Sequence, residues 1–161
     1  MRSTQRLRIV LVCPRIAANV GNVARTCSAL GAELHLVGPL GFQIDLKRLD
    51  RASVGYWEEL KPVVYLDFNE FWSQFPRLPE TQFVFAEKDG SELYSELSYA
   101  DDCVLIFGNE EEGVDPLFWK TESLPVISSC RIPMRKIRCL NLATSVGIVS
   151  YEVNRQWSGR V

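Results

Sequence analysis

Two stretches, LRIVLVC at 7–13 and CVLIFG at 103–108, are apolar throughout but for Arg8. They constrain the chain more than any other feature. A strand with one wet face alternates apolar and polar residues, so an unbroken run needs cover on both faces. QFVFA at 82–86 reads the same way, and ELHLV at 33–37, PVVYL at 62–66 and VISSCRIPM at 126–134 supply three further strands. Helical patterns lie between them. Val20, Val23, Ala24, Cys27 and Leu30 recur at helical spacing, with Asn19 placed as a cap and Gly31 as the stop. Asp45 to Arg51 predicts a short basic helix, Asp67 caps FNEFWSQF, and Pro116 starts a helix towards Ser123. Leu140 to Trp157 forms the last helix. Strand and helix alternate throughout, which predicts one α/β domain over 1–161 with a mostly parallel sheet.

That last helix carries Leu140, Leu142, Ala143, Val146, Ile148, Val149, Tyr151 and Val153 around its circumference. One covering layer leaves part of it in water, so a partner subunit is expected on the other side. Ahead of it, Arg131, Arg135, Lys136 and Arg138 place four cations within eight positions. Net charge is only −2, yet residues 1–61 sum to +4, 62–125 to −11 and 126–161 to +5. Bringing the two ends together would give a basic face that attracts phosphates.

Other classes are excluded by what is absent from the pattern. No apolar run reaches the ~18 residues of a membrane span. The N-terminal run is too short for a signal-peptide core of about 7–15, which predicts a cytoplasmic location. Five cysteines make no C-x-x-C pair and the single histidine, His35, lies far from any cysteine pair. Reduced thiols and no metal site are expected. His35, between Leu34 and Leu36, reads as a sheet-edge or satisfied core residue. NVGN after the first strand is not G-x-G-x-x-G, and no P-loop occurs, so an ordinary dinucleotide or phosphate-loop site is disfavoured.

Three segments stand at predicted strand ends, where open α/β sheets bind ligands. They are N-x-x-N-x-x-R-T at 19–26, F-G-N-E-x-x-G at 107–113 and R-I-P-M…R-C-L-N-L at 131–142, with L-H-L-V-G-P-L-G-F at 34–42 between the first two. Together they resemble the SPOUT superfamily of RNA methyltransferases. The branch matched is the TrmL-like one, tRNA 2′-O-methyltransferases acting on the wobble nucleotide. The resemblance spans roughly residues 8–157.

It implies a SPOUT-type α/β-knot, with a mostly parallel sheet flanked by helices and a C-terminal trefoil knot. It also implies a homodimer through the C-terminal helix, and S-adenosyl-L-methionine in the knot. By motif, the cofactor falls on Ala86, Gly108, Gly113, Ile132, Met134, Cys139 and Leu140. The catalytic set falls on Asn19, Arg25, Glu110 and Asn141. Arg25, a poor base as a guanidinium, would hold a phosphate and stabilise a developing alkoxide. Its other reading is an ion pair with a carboxylate such as Glu110. Lys47, Arg48, Arg51, Arg135, Lys136 and Arg138 are the expected RNA-phosphate contacts. The chain departs from the pattern at Cys139 and Ala143, where serine is common, at Glu112, where arginine is common, and in a shorter loop after Met134. A catalytically inactive RNA-binding protein of the same fold is the alternative function.

Overall fold

The computed structural model describes residues 4–119 and 126–159. Seven strands form one sheet in the order β3-β2-β1-β6-β4-β7-β5, and every pairing is parallel. In chain order the elements are β1 Arg6–Val12, α1 Ala17–Leu30, β2 Glu33–Val37, α2 Leu46–Ser53, α3 Tyr56–Leu60 and β3 Val63–Tyr65. They continue with α4 Phe68–Gln74, β4 Gln82–Ala86, β5 Glu92–Leu93, β6 Asp102–Phe107, β7 Val126–Arg131 and α5 Leu142–Ser158.

The uninterrupted strands are covered on both faces, as their composition requires. Leu7, Ile9 and Leu11 of β1 join Cys103, Leu105 and Phe107 of β6 in a core shared with α1, α2, α3 and α5. Val10 and Val12, with Val104 and Ile106, point the other way, into an aromatic core. Phe71, Trp72 and Phe75 of that core come from α4 and its C-cap, with Phe118 from a single 3-10 turn at Pro116–Phe118. Phe71 is fully buried and stacks edge-on against Tyr65 and Trp72. A side chain of this kind contributes about 1.5–3 kcal/mol on burial.

The charged residue within β1 is handled differently. Arg8 has no exposed surface. Its Nη2 donates to both Asp102 oxygens at 2.7 and 2.8 Å, and its Nη1 donates to the Pro76 carbonyl. Thr81 donates its hydroxyl to Asp102, and the Phe75 ring lies 4.8 Å from the guanidinium carbon. This network, which leaves only the Arg8 Nε without a partner, sits at the N-terminal end of the sheet.

Several boundaries differ from the sequence reading. Asn19 is not the cap of α1; Ile16 occupies that place and Asn19 is a buried residue inside the helix. β7 stops at Arg131 instead of running to 134, because Pro133 has no N–H to continue a ladder. α5 starts at Leu142, not Leu140, since the Asn141 side chain accepts from the Thr144 N–H and caps it. The helix expected from Pro116 is a 3-10 turn to Phe118, and its predicted continuation lies outside the described residues. α3 and β5, five and two residues long, were not expected. His35 is core, not edge: β2 is flanked by β1 and β3, and His35 Nδ1 stands 3.0 Å from the Tyr65 hydroxyl. Its Nε2 lies 3.5 Å from Glu33 Oε2 without a hydrogen bond.

α5 buries one stripe, Leu142, Val146, Val149, Ser150, Val153 and Trp157, and packs against α1. Ala143, Gly147 and Ile148 stay partly exposed, and Tyr151 is 52% exposed.

Candidate functional site

β4, β6 and β7 are neighbours in the sheet, so their C-terminal ends deliver three loops to one place. With the start of α5 these loops enclose a cleft of about 460 Å³. Ala86 ends β4, Gly108 and Gly113 belong to the loop after β6, and Ile132, Met134, Cys139 and Leu140 follow β7; all seven line the cleft. Its inner wall is apolar and shielded, with Cys130 and Val149 fully buried. Its rim is charged, carrying Glu87, Lys88, Asp89 and Arg138.

The glycines are dictated by the loop. A Cβ on Gly108 would lie 1.8 Å from the carbonyl carbon of Gly113, so no side chain is tolerated without moving the loop. Asn109 and Gly113 pair across it, and Gly113 has a φ of 76°, the left-handed region that favours glycine. The Asn109 Oδ1 accepts from the Glu111 and Glu112 N–H groups at 2.9 and 2.8 Å, which closes the turn.

That turn aims Glu110 at the start of α1, which has neither a side-chain cap nor an acidic residue in its first turn. Glu110 supplies both from 94 residues away: its Oε1 accepts from the Ile16 N–H at 3.2 Å. Its Oε2 accepts from the Arg15 N–H at 3.0 Å. A carboxylate at a helix N-terminus is favoured by the exposed N–H groups and the helix dipole. Asn19 Nδ2 also donates to Glu110 Oε1 at 2.9 Å, and Asn141 Nδ2 donates to Asn19 Oδ1 at 2.9 Å. Glu110, Asn19 and Asn141 therefore form one chain of hydrogen bonds linking the β6 loop, α1 and the cap of α5. Both Glu110 oxygens are committed to N–H donors, which suits it to orienting groups rather than taking a proton.

Arg25 is not brought to this chain. It is exposed on α1 and lines a separate hollow of about 520 Å³ with Tyr56, Glu59 and Tyr151. Among the described residues it makes no ion pair, so the alternative pairing with Glu110 is not formed. Lys47, Arg48 and Arg51 are exposed on α2, where Arg48 stands 3.7 Å from Asp45. Arg135 and Lys136 are exposed in the bend after β7, outside the cleft; Arg138 alone of that run lines it.

Sequence reasoning missed Arg15. Its guanidinium bonds Glu111 at 2.6 Å and Glu112 at 3.1 Å, so both glutamates find their cation on another loop. The pair is exposed and contributes little stability, up to about 1 kcal/mol. Nothing in the sequence pairs Arg15 with acids that lie 96 and 97 residues away. Glu87 was also missed; burial, and then Asp89, push its carboxyl above the usual range. The cysteines are free thiols, and burial raises Cys130 to about 11 and Cys27 to about 12, which leaves them poor nucleophiles.

Known proteins are similar to this chain in sequence and in fold. A relative from Listeria monocytogenes is 40% identical over 153 residues, covering 92% of this chain and 86% of its own. The tRNA (cytidine(34)-2′-O)-methyltransferase of Burkholderia cenocepacia is 36% identical over 149 residues, covering 92% and 94%. A solved structure described as giving structural insights into the 2-OH methylation of C/U34 on tRNA superposes with a TM-score of 0.85. It is 34% identical and covers 98% of this chain and 100% of that one. An AdoMet-bound rRNA methyltransferase from Sinorhizobium meliloti superposes with a TM-score of 0.79 at 26% identity, covering 95% of this chain and 57% of that one. The family described as SpoU rRNA Methylase matches residues 6–151, and with the cleft and its hydrogen-bonded rim in the same stretch, the chain belongs to that family.

Proposed function

We propose that the protein transfers a methyl group from S-adenosyl-L-methionine to a ribose 2′-hydroxyl of tRNA, with the wobble cytidine or uridine as target. The observation that carries this reading is the convergence of three strand ends on one cleft, lined by Glu110, which is hydrogen-bonded to Asn19 and through it to Asn141. The donor fits what is there. The volume lies in the range of small-molecule sites, the inner wall is apolar, and the loop backbones can meet the edge of an adenine. Bound, S-adenosyl-L-methionine supplies an electrophilic methyl on a sulfonium.

The chain supplies alignment and charge placement. Ile132, Met134 and Leu140 hold the adenine side, with Ala86, Gly108, Gly113 and Cys139 closing round it. Glu110 fixes the β1–α1 turn against the cleft, and the exposed Asn141, held by the buried Asn19, orients the ribose. In-line attack needs such positioning more than it needs an acid. As the hydroxyl loses its proton, negative charge grows on oxygen, and a cation there lowers the barrier. Arg25 is our candidate for that cation, since it is exposed and among the described residues makes no ion pair. Its hollow includes Tyr151 of α5. A second copy packed on the exposed side of α5 would cover Arg25 and bring it near a cleft, so we read the protein as a homodimer through that helix. We also read the segment from β7 to α5 as the knotted one, because it leaves the far side of the sheet and returns to α1. Lys47, Arg48, Arg51, Arg135 and Lys136 would hold phosphates, which gives binding a steep salt dependence. A cytoplasmic setting follows from the substrate; no described helix is long and apolar enough to cross a membrane.

Incubating the protein with tRNA and tritiated S-adenosyl-L-methionine tests the reading. Label should enter tRNA, mass spectrometry of the digest should locate it at the wobble ribose, and Arg25→Ala should abolish it. Absence of transfer to total tRNA, from folded protein, sinks the proposal. Sedimentation equilibrium should give twice the chain mass; a monomer at micromolar concentration sinks the dimer.

A further inference from the structure

We propose that Arg138 binds the carboxylate of the donor's amino-acid tail, and not an RNA phosphate as its place in a basic run suggests. The inference rests on the reading that the cleft takes S-adenosyl-L-methionine. The donor has two unlike ends. Its adenine is flat and weakly polar; its tail carries an ammonium and a carboxylate on one carbon. The cleft is divided the same way. Val149 and Cys130 are fully buried at the inner wall, while Lys88 and Arg138 are exposed at the rim. The tail therefore belongs at the rim.

Three of the acids along the cleft are already engaged. Glu110 accepts from the start of α1, and Arg15 holds Glu111 and Glu112. Glu87 and Asp89, on the loop after β4, remain to meet a positive group, and Glu87 sits in a half-buried place where an added cation is favourable. They suit the ammonium. Of the two rim cations, Lys88 lies between those carboxylates in the chain, whereas Arg138 comes from the loop after β7. Among the described residues Arg138 makes no ion pair. Its planar fork matches a carboxylate through two parallel N–H bonds, which a lysine cannot reproduce. Its neighbours Arg135 and Lys136 stay outside the cleft and free for RNA.

Calorimetry with S-adenosylhomocysteine and with 5′-methylthioadenosine, which lacks the tail, tests this without any turnover. Arg138→Ala should weaken S-adenosylhomocysteine by about tenfold or more and leave 5′-methylthioadenosine within about twofold. Arg138→Lys should recover part of the loss. Arg135→Ala should leave both nucleosides unchanged while weakening tRNA retention on a filter. Equal losses for the two nucleosides, or none for S-adenosylhomocysteine together with a fall in tRNA retention, overturn the assignment. If the unaltered protein binds neither nucleoside, the cofactor reading falls and takes this one with it. If it binds both equally well, the cofactor reading stands and only the tail contact fails.

Discussion

The two ends of the sheet each carry a polar network, and they are built to opposite rules. At the N-terminal end, Arg8, Asp102 and Thr81 are sealed together, with Arg8 fully buried and Asp102 only 15% exposed. At the C-terminal end, Glu110, Asn19 and Asn141 are joined just as tightly, yet Glu110 lines an open cleft and Asn141 is exposed. A charge removed from water must be partnered, and all but the Nε of Arg8 finds an acceptor or anion here, so the first network serves stability. A network left half in water keeps spare capacity for another molecule. The comparison teaches that hydrogen-bond density does not mark a site; access does.

Breaking the closed end should cost most. Asp102→Ala leaves Arg8 buried without its anion and should lower unfolding free energy by about 3–5 kcal/mol in urea titrations. Donor binding by the fraction still folded should not change. An effect below about 1 kcal/mol would erase the contrast.

His35, in the buried strand beside that end, sharpens it through pH. Burial holds its imidazolium form down, with a pKa of about 4 against an ordinary 6.5; nearby Glu33 works in the opposite sense and loses. Below pH 6.5 the unfolded chain takes up a proton that the folded chain refuses until about 4. Stability is therefore complete above 6.5 and declines as pH falls towards 4, by up to about 1.4 kcal/mol per pH unit. Between pH 7 and 5 the loss should be about 2 kcal/mol, and His35→Phe should remove that component. An unchanged pH slope in the variant would refute the assignment.

At the open end stability should matter less and binding more. Gly108→Ala forces a methyl into the Gly113 backbone and should cost about 1–3 kcal/mol. The larger consequence should appear in calorimetry, as a loss of S-adenosylhomocysteine binding of at least about tenfold. Glu110→Gln keeps the shape but turns one acceptor into a donor facing an N–H. It should cost only about 1 kcal/mol of stability while methyl transfer falls by about 100-fold. Near-normal transfer by this variant would show that the open network is merely structural.

The strands were legible because a sheet covered on both faces writes itself as continuous apolar runs. The boundaries that failed were set by single groups. Pro133 stopped β7, and the Asn141 cap moved α5 two residues on from Leu140. α3 and β5 are too short to carry a period. At the site, motif order supplied the cleft-lining residues, and all seven meet there. Asn19 was placed in the right segment with the wrong local role. Its partners are 91 and 122 residues away, and no local pattern encodes a hydrogen bond of that reach. Arg15 was invisible for the same reason.

The bond between Asn141 and Asn19 has a bearing on how the molecule matures. It ties α1 to the cap of α5, so the support behind Glu110 stays unfinished until α5 docks. A chain with most of its sheet already made but α5 undocked would have no working mouth for a nucleotide. Contacts so remote in sequence form late and slowly. A finished mouth is thereby reserved for chains in which α5 has docked.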